Sequence, residues 1–372
     1  MAYTKGSQSN ILKDFSVSID GIKLTNGQIN EIKIKWNVDG FKVSGILSFT
    51  DLTGLIEELP IRGRNDVILS MTDFDDVVSS QAFKVVEVRT SRETSSPFVE
   101  LDLIDPISLK AMQTYNEMSF KSEDMVSIID NKETIGEELV GKEKDFCETS
   151  KHKNFVMPLH VSFNVVMHWL AKNADVLMFQ TRKDFVIQTI SELFSREQKG
   201  DIFLLKTPNQ QYRRNIYQFK LIMGKEFSTS VLQPNGKVAS FDPNNKHSKF
   251  TENNYEASIA NIEENTNFGL VVDEKANTGA KYFYKSDYHI EETTANQWSK
   301  NSYKGVQLEL LVPGQFGTNI GDIVKVEIDN WLLQSTPEKN MSGMWMVTEI
   351  IDVINPPDFI QRLTLSRSKY FR

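Results

Sequence analysis

Apolar and polar residues alternate over most of the first hundred positions, the period-2 pattern of half-buried strands. Residues 29–49, INEIKIKWNVDGFKVSGILSF, alternate on both sides of Asp39-Gly40, a hairpin signal. Strands are predicted at 66–71, 82–89 and 98–105, and a short helical turn at 52–63 stopped by Pro60 and Gly63. Beyond Pro106 the period changes. Phe163, Val166, Trp169, Leu170 and Ala174 recur at helical spacing over 161–174, with Ser162 in the N-cap position. A second amphipathic helix is expected over 185–197, with Val186, Ile190, Leu193 and Phe194 on one side, and a hairpin turning at Lys183-Asp184 between the two. Strands return from about residue 216, with a turn at Asn235-Gly236. Residues 251–304 are polar and irregular, with a helix expected over 288–303. Alternation resumes at 306–314, 322–328, 344–351 and 360–367.

Two of these strand pairs echo each other. Phe83, Val85, Glu87 and Val88 match Trp345, Val347, Glu349 and Ile350 at a separation of 262 residues. Phe98, Leu101 and Leu103 match Ile360, Leu363 and Leu365 at the same separation, so a strand–loop–strand unit repeats without a gap. Upstream, Asp66 aligns with Asp322 at a separation of 256. Alternating strands look alike by chance, but an ungapped match over a whole unit points to duplication. The fold class expected is therefore α+β, mostly β: two related antiparallel β-barrel domains flanking an α+β domain, with an insertion in the second barrel. The boundaries are 1–108 for the first barrel, 109–200 for the α+β domain, 201–250 with 305–372 for the second barrel, and 251–304 for the insert. Trp345, like Phe83, is expected in a core.

Composition narrows the function. At 372 residues the chain exceeds the size at which a single core stops growing. No apolar run of the roughly 18 residues needed to cross a bilayer occurs, and the first ten residues lack the apolar stretch of a signal peptide. A single cysteine, Cys147, excludes an internal disulfide and reads as inert. The net charge of −8 disfavours a nucleic-acid binder, and the basic groups at 151–153, Arg213-Arg214 and Arg367, Lys369, Arg372 read as solvated surface.

The sequence carries no positive sign of catalytic chemistry. His152, His160, His168, His247 and His289 show no metal-ligand spacing. The adjacent carboxylates Glu57-Glu58, Asp75-Asp76, Glu137-Glu138 and Glu291-Glu292 would diverge on any regular element. TDFDD at 72–76 lacks the glycine and distal glutamate of a calcium loop and reads as a turn. Ser150–Lys153 and Ser366–Lys369 have serine–lysine spacing without a suitable helix. The glycines of 313–322 lack the Lys-Ser/Thr of a phosphate loop and read as a strand connection. No catalytic, cofactor-binding or metal-ligating residue is assigned. One candidate interaction feature remains: Trp331, Leu332 and Leu333, apolar at the tip of a predicted loop at 329–341, which either contacts a partner or folds back over its own barrel.

The chain also resembles a known family. DLTGLIEELPIRGRNDVILSM at 51–71, the stretches at 103–131 and 157–194, VPGQFGTNIGDIVKVEI and SGMWMVTEIIDVI resemble the central baseplate hub proteins of contractile-tailed bacteriophages, of the T-even type, and the N-terminal part of type VI secretion spike proteins. The resemblance covers nearly the whole chain at the level of pattern. It implies a non-enzymatic homotrimer, pseudo-hexameric through its paired barrels, that joins a central spike to a tail tube beside other baseplate proteins. Genomic DNA would pass the lumen without specific binding, and neither membrane nor cofactor would be involved. The protein would be made in the host cytoplasm and carried in the virion. With the chain ending at Arg372, a stand-alone hub without a fused spike or lysozyme domain is expected. Alternatives are a tail-associated cell-wall or polysaccharide hydrolase, with carboxylates gathered from 109–200 or 251–304, and a component of a type VI or other contractile injection system.

Overall fold

A computed structural model describes residues 11–58, 64–91, 97–115, 118–121, 123–149, 154–157, 160–174, 176–203, 215–222, 238–241, 251–253, 281–284, 304, 306–328 and 341–367. The first part comprises β1 (Asp14–Ile19), β2 (Ile22–Leu24), β3 (Ile29–Asn37), β4 (Ser44–Thr50), the helical turn α1 (Leu55–Glu58), β5 (Asp66–Thr72), β6 (Val78–Ser91) and β7 (Phe98–Ile104). The middle comprises α2 (Pro106–Gln113), β8 (Ser119–Lys121), α3 (Met125–Ile129), β9 (Glu143–Phe146), β10 (Asn154–Val156), α4 (Phe163–Ala174), β11 (Leu177–Gln180), β12 (Asp184–Gln188) and α5 (Ile190–Phe194). The last part comprises β13 (Gln198–Phe203), β14 (Gln218–Ile222), β15 (Val238–Phe241), β16 (Thr251–Asn253), β17 (Lys281–Tyr284), β18 (Val306–Pro313), β19 (Ile323–Glu327), β20 (Gly343–Asn355) and β21 (Asp358–Arg367).

The strands follow the alternation that predicted them. Ile32, Ile34 and Trp36 of β3 point into the core while Lys33 and Lys35 point out. Each fully buried isoleucine contributes about 1.5–3 kcal/mol of hydrophobic stabilisation. Asp51 starts α1 by accepting from the amides of Leu55 (2.8 Å) and Ile56 (3.0 Å). Thirteen strands of the first and last parts form one sheet, ordered β14-β18-β21-β20-β3-β4-β7-β6-β5-β1-β2, with β19 joined to β20 and β13 to β19. Residues of both parts share one hydrophobic core, and Trp345 and Phe83 both lie in it as expected.

The duplication is legible in this order. The series β3-β4-β7-β6-β5 recurs as β14-β18-β21-β20-β19, with every pairing antiparallel. Both long strands carry a β-bulge at the same place. The register of β6 with β7 shifts between Val85 and Glu87, and that of β20 with β21 between Val347 and Glu349, 262 residues on. Ahead of β5 and β19 the chain turns through a left-handed residue, Arg64 at φ 71° and Gly321 at φ 80°. Arg64 N–H donates to the Val85 carbonyl (2.7 Å) and Gly321 N–H to that of Val347 (2.8 Å). These contacts align Arg64 with Gly321, a separation of 257 rather than the 256 read from the paired aspartates. Only the structural alignment superposes the buried Val67, Leu69 and Met71 on the buried Val324, Val326 and Ile328, since a one-residue slip exchanges the faces of a strand.

Other expectations need correction. Among the described residues no closed barrel forms: the two halves run together as one open sheet because Ile32–Asn37 of β3 pair with Glu349–Ile354 of β20. The loop expected between the last two strands is largely strand, β20 and β21 running to Asn355 and Asp358 around Pro356-Pro357. The helix expected over 185–197 is confined to α5, because Phe185–Gln188 pair with β11 and β9 in a three-stranded sheet. On α4 the buried stripe is Phe163, Val166, Met167, Leu170 and Ala171, and Trp169 lies outside it, 45% exposed. Arg367 is not solvated surface: it is 1% exposed, with its guanidinium 4.0 Å from the Trp345 ring. Strand β15 pairs with β16 and β17 in a separate small sheet. The helix expected over 288–303, the Asn235-Gly236 turn and the remaining basic groups lie outside the described residues.

The two left-handed positions predict opposite outcomes. A Cβ at Gly321 would stand 2.7 Å from Phe179 Cζ, so Gly321→Ala is expected to destabilise by about 1–3 kcal/mol. Arg64→Gly, which removes the side chain from the same backbone conformation, is expected to stabilise by up to about 1 kcal/mol. Denaturant melts of the two variants check both signs.

Candidate functional site

The two β repeats and the middle part of the chain meet at one buried joint, built around the β11–β12 hairpin. Its turn is closed by Thr181, whose N–H donates to the Asp184 carbonyl (2.9 Å) and whose hydroxyl donates to Asp184 Oδ2 (2.8 Å) and accepts from the Asp184 amide (2.8 Å). Lys142 Nζ donates to the carbonyls of Thr181 (2.9 Å) and Arg182 (3.2 Å), fixing the turn from below. Burial draws Lys142 below the ordinary lysine value, against the pull of Asp105 and Asp184.

So held, Arg182 reaches into the β sheet. Its Nη2 donates to both oxygens of Asp352 on β20 (3.0 and 2.7 Å), and its Nη1 to the Thr318 carbonyl (2.7 Å). The guanidinium lies 5.6 Å from the Trp36 ring of β3 and 5.2 Å from that of Phe316. Asp352 also accepts from Gln361 Nε2 (2.7 Å) and Trp36 Nε1 (3.4 Å). With Arg182 at 7% and Asp352 at 0% side-chain exposure, this is a buried ion pair in which one guanidinium nitrogen bridges both carboxylate oxygens, joining the hairpin, both repeats and the β18–β19 loop.

Three further contacts tie the parts together. Asp105 caps α2 by accepting from the Ser108 amide (2.9 Å), takes the Val43 amide (3.0 Å) and receives Gln180 Nε2 (2.8 Å), which also donates to the Phe41 carbonyl (2.7 Å). Burial pushes its carboxyl above the usual range despite these donors. Asp73 of TDFDD accepts from the amides of Asp75, Val77 and, across the sheet, Phe316 (2.7 Å), which identifies that segment as a turn. Lys199 pairs with the buried Asp322 at 3.0 Å.

The glycines of 313–322 serve packing. Gly314 lies against the Phe359 ring, which stacks on Phe316 at 4.8 Å, and Gly321 supplies the left-handed turn. Ser366 is buried in β21 and bonded to the Thr348 hydroxyl at 3.0 Å, so it is no nucleophile. His168 packs on Phe41 at 5.5 Å between ring centroids; desolvation there holds it below its usual value although one side faces solvent. His160 lies in a turn at φ 59°, and His152, His247 and His289 lie outside the described residues. Among the described residues no cluster of three His, Cys, Asp or Glu could hold a metal, and no helix is long and apolar enough to cross a membrane. The predicted contact residues Trp331, Leu332 and Leu333 also lie outside the described residues.

The pattern reading missed Arg182 and Asp352. Asp352 had a signal: it stands in phase with Ile350 and Ile354, a charge at an inward position of an otherwise apolar strand. On β21, Arg367 carries the same mark and Gln361 is a polar residue at an inward position. Arg182, beside the predicted turn, carried none.

No protein-family model and no curated protein sequence matches the chain. Solved structures do. The 43 kDa tail protein of prophage MuSo2 from Shewanella oneidensis superposes with a TM-score of 0.63 at 12% identity, over 95% of this chain and 98% of that one. A tail protein from Neisseria meningitidis gives 0.62 at 9% identity, over 95% of both chains. The E. coli c3393 protein, described as a type VI secretion component structurally similar to the T4 bacteriophage tail proteins gp27 and gp5, gives 0.54 at 8% identity, over 96% of this chain and 78% of that one. The chain has the fold of these tail and secretion proteins along nearly its whole length, which is the fold that its sequence resemblance implied.

Arg182→Met would leave Asp352 buried without its cation and is expected to cost about 3–5 kcal/mol, much of it recovered in Arg182→Met/Asp352→Leu. Equal stability of the single and double variants in denaturant melts would contradict the joint as described. At Cys147, burial first, then the Glu192 carboxylate, pushes the thiol up to about 11. Its labelling at pH 8 is expected to be on the order of a hundredfold slower in the native than in the unfolded chain, measured with a chromogenic disulfide reagent.

Proposed function

We propose that this protein is the structural hub of a contractile tail: a homotrimeric, pseudo-hexameric ring that joins the central spike to the tail tube, contacts other baseplate proteins and passes DNA through its lumen. The observation that carries this reading is the internal repeat. One chain holds two copies of a five-strand unit, alike in strand order, bulge position and left-handed turn, and merged through β20 and β3. Three such chains present six similar units, which is what matching a threefold spike to a sixfold tube requires. The tail-protein fold supports the reading. A net charge of −8 accords with a lumen that lets DNA pass without gripping it.

In this reading the two β units, 1–108 and 201–250 with 305–372, form the tube-like wall, and 109–200 stands against it through Arg182. The segment around Trp331, Leu332 and Leu333 contacts a partner. The protein acts in the virion without catalysis. A second reading, the corresponding hub of a type VI or other contractile injection system, draws on the likeness to the E. coli secretion component; the neighbouring genes distinguish the two.

The purified protein is expected to have the mass of a trimer and to appear as a ring in negative stain. A monomer at every concentration, with spike and tube partners present, would refute the hub reading. Degradation of peptidoglycan or polysaccharide by the pure protein would favour the hydrolase instead.

A further inference from the structure

Among the described residues, the seam inside the chain is matched by a pair of edges with no strand beside them. Within the chain, Glu349–Ile354 of β20 are covered by Ile32–Asn37 of β3, in a register that sets Asp352 opposite Ile34. The repeat maps β20 onto β6 and β3 onto β14. Among the described residues, Glu87–Ser91 of β6 pair only with β7, and β14 pairs only with β18. Burial follows the same division. Thr348 is 3% exposed but its counterpart Val86 is 57% exposed; Ile32 is 0% exposed but its counterpart Phe219 is 42% exposed. Thr90 is exposed where its counterpart Asp352 is buried. Among the described residues, the first repeat has the seat without the occupant, and the second has the occupant without a seat.

We infer that β14 of one chain covers β6 of another copy of the same chain, repeating between chains the seam that β3 and β20 make within one. The repeat also specifies the register. Carrying the internal pairing across sets Thr90 opposite Leu221, Arg89 opposite Ile222 and Ser91 opposite Lys220, antiparallel. Val88, Thr90, Phe219 and Leu221 then take the inward phase; continued by one pair, the same register brings Arg92 opposite Phe219. The outward phase is compatible too: Arg89 is engaged by Glu87, Glu100 and Asp102, and Lys220 lies 3.6 Å from Glu309. The contact is head to tail, because the two edges differ, so it generates a closed ring or an open helix according to the rotation between repeats. Pairing also removes two exposed strand edges that would otherwise invite indiscriminate association. The copy number of three rests on the hub reading above; the pairing of the edges does not.

The test joins the two edges covalently. Ser91 and Lys220 are exposed outward positions whose replacement spares the core, and Cys147 is buried. The Ser91→Cys/Lys220→Cys chain, oxidised or treated with a short thiol-bridging reagent, is expected to give covalent species from dimer up to the closed ring. An equal mixture of the two single variants is expected to stop at the dimer, and Ser91→Cys/Glu309→Cys, one strand further away, to link poorly. Phe219→Asp is expected to keep the melting behaviour of the monomer and raise the dissociation concentration at least about tenfold. A stable trimer that neither links 91 to 220 nor responds to Phe219→Asp would overturn the edge pairing and leave the hub reading standing. Linkage in an assembly of another copy number would uphold the pairing and overturn the trimer. A monomer that never links would overturn both.

Discussion

The arrangement of the molecule depends on one buried ion pair. Arg182 and Asp352 come from a hairpin of the α+β domain and a strand of the second repeat, and the tryptophan of the first repeat closes over them. A buried pair of this kind adds little net stability over an apolar contact of the same shape, because both charges lose their water. What it adds is direction: Nη2 is shared by both Asp352 oxygens while Nη1 is held by the Thr318 carbonyl, a set of directed bonds that an apolar contact lacks. The β11–β12 hairpin is therefore oriented against the sheet, with Trp36, Gln361 and Phe316 placed around the pair.

The two repeats share a plan but have diverged in what they carry. The first ends in an aspartate, Asp105, that caps α2 and hands the chain to the α+β domain. The second takes the return contact, admitting Phe179 beside Gly321 and Arg182 beside Asp352. Where the second repeat has Asp352, the first has Thr90. The charge thus appears only in the copy that has a cation to meet, as the cost of an unpaired buried carboxylate requires.

Much of this was legible before the structure. Alternation located ten of the thirteen strands of the main sheet but not β1, β2 or β13, and the 262-residue echo located the repeat down to the residues beside its bulge. What failed had local causes. Val186 fits a helical stripe with Ile190, Leu193 and Phe194, yet β9 lies beside it, and tertiary pairing overrode the local pattern. Trp169 falls at helical spacing with the buried residues of α4 but on the flank of the stripe. The aspartates Asp66 and Asp322 match as letters, while the faces of their strands demand a shift of one residue. The joint itself was hidden because periodicity sees each element alone, and Arg182 gains its meaning only from a strand 170 residues away.

The bulge shared by the repeats has a mechanical side. At Thr348 one strand changes partners: before it, the free edge of β20 is taken by β19, and after it by β3. The chain's two halves are therefore joined along the strand direction by the ladder from Glu349 to Ile354. A pull parallel to β20 loads that whole ladder at once, in shear. A pull across it peels the rungs one at a time. At this seam the backbone bonds are therefore arranged to resist sliding along β20 more than peeling across it.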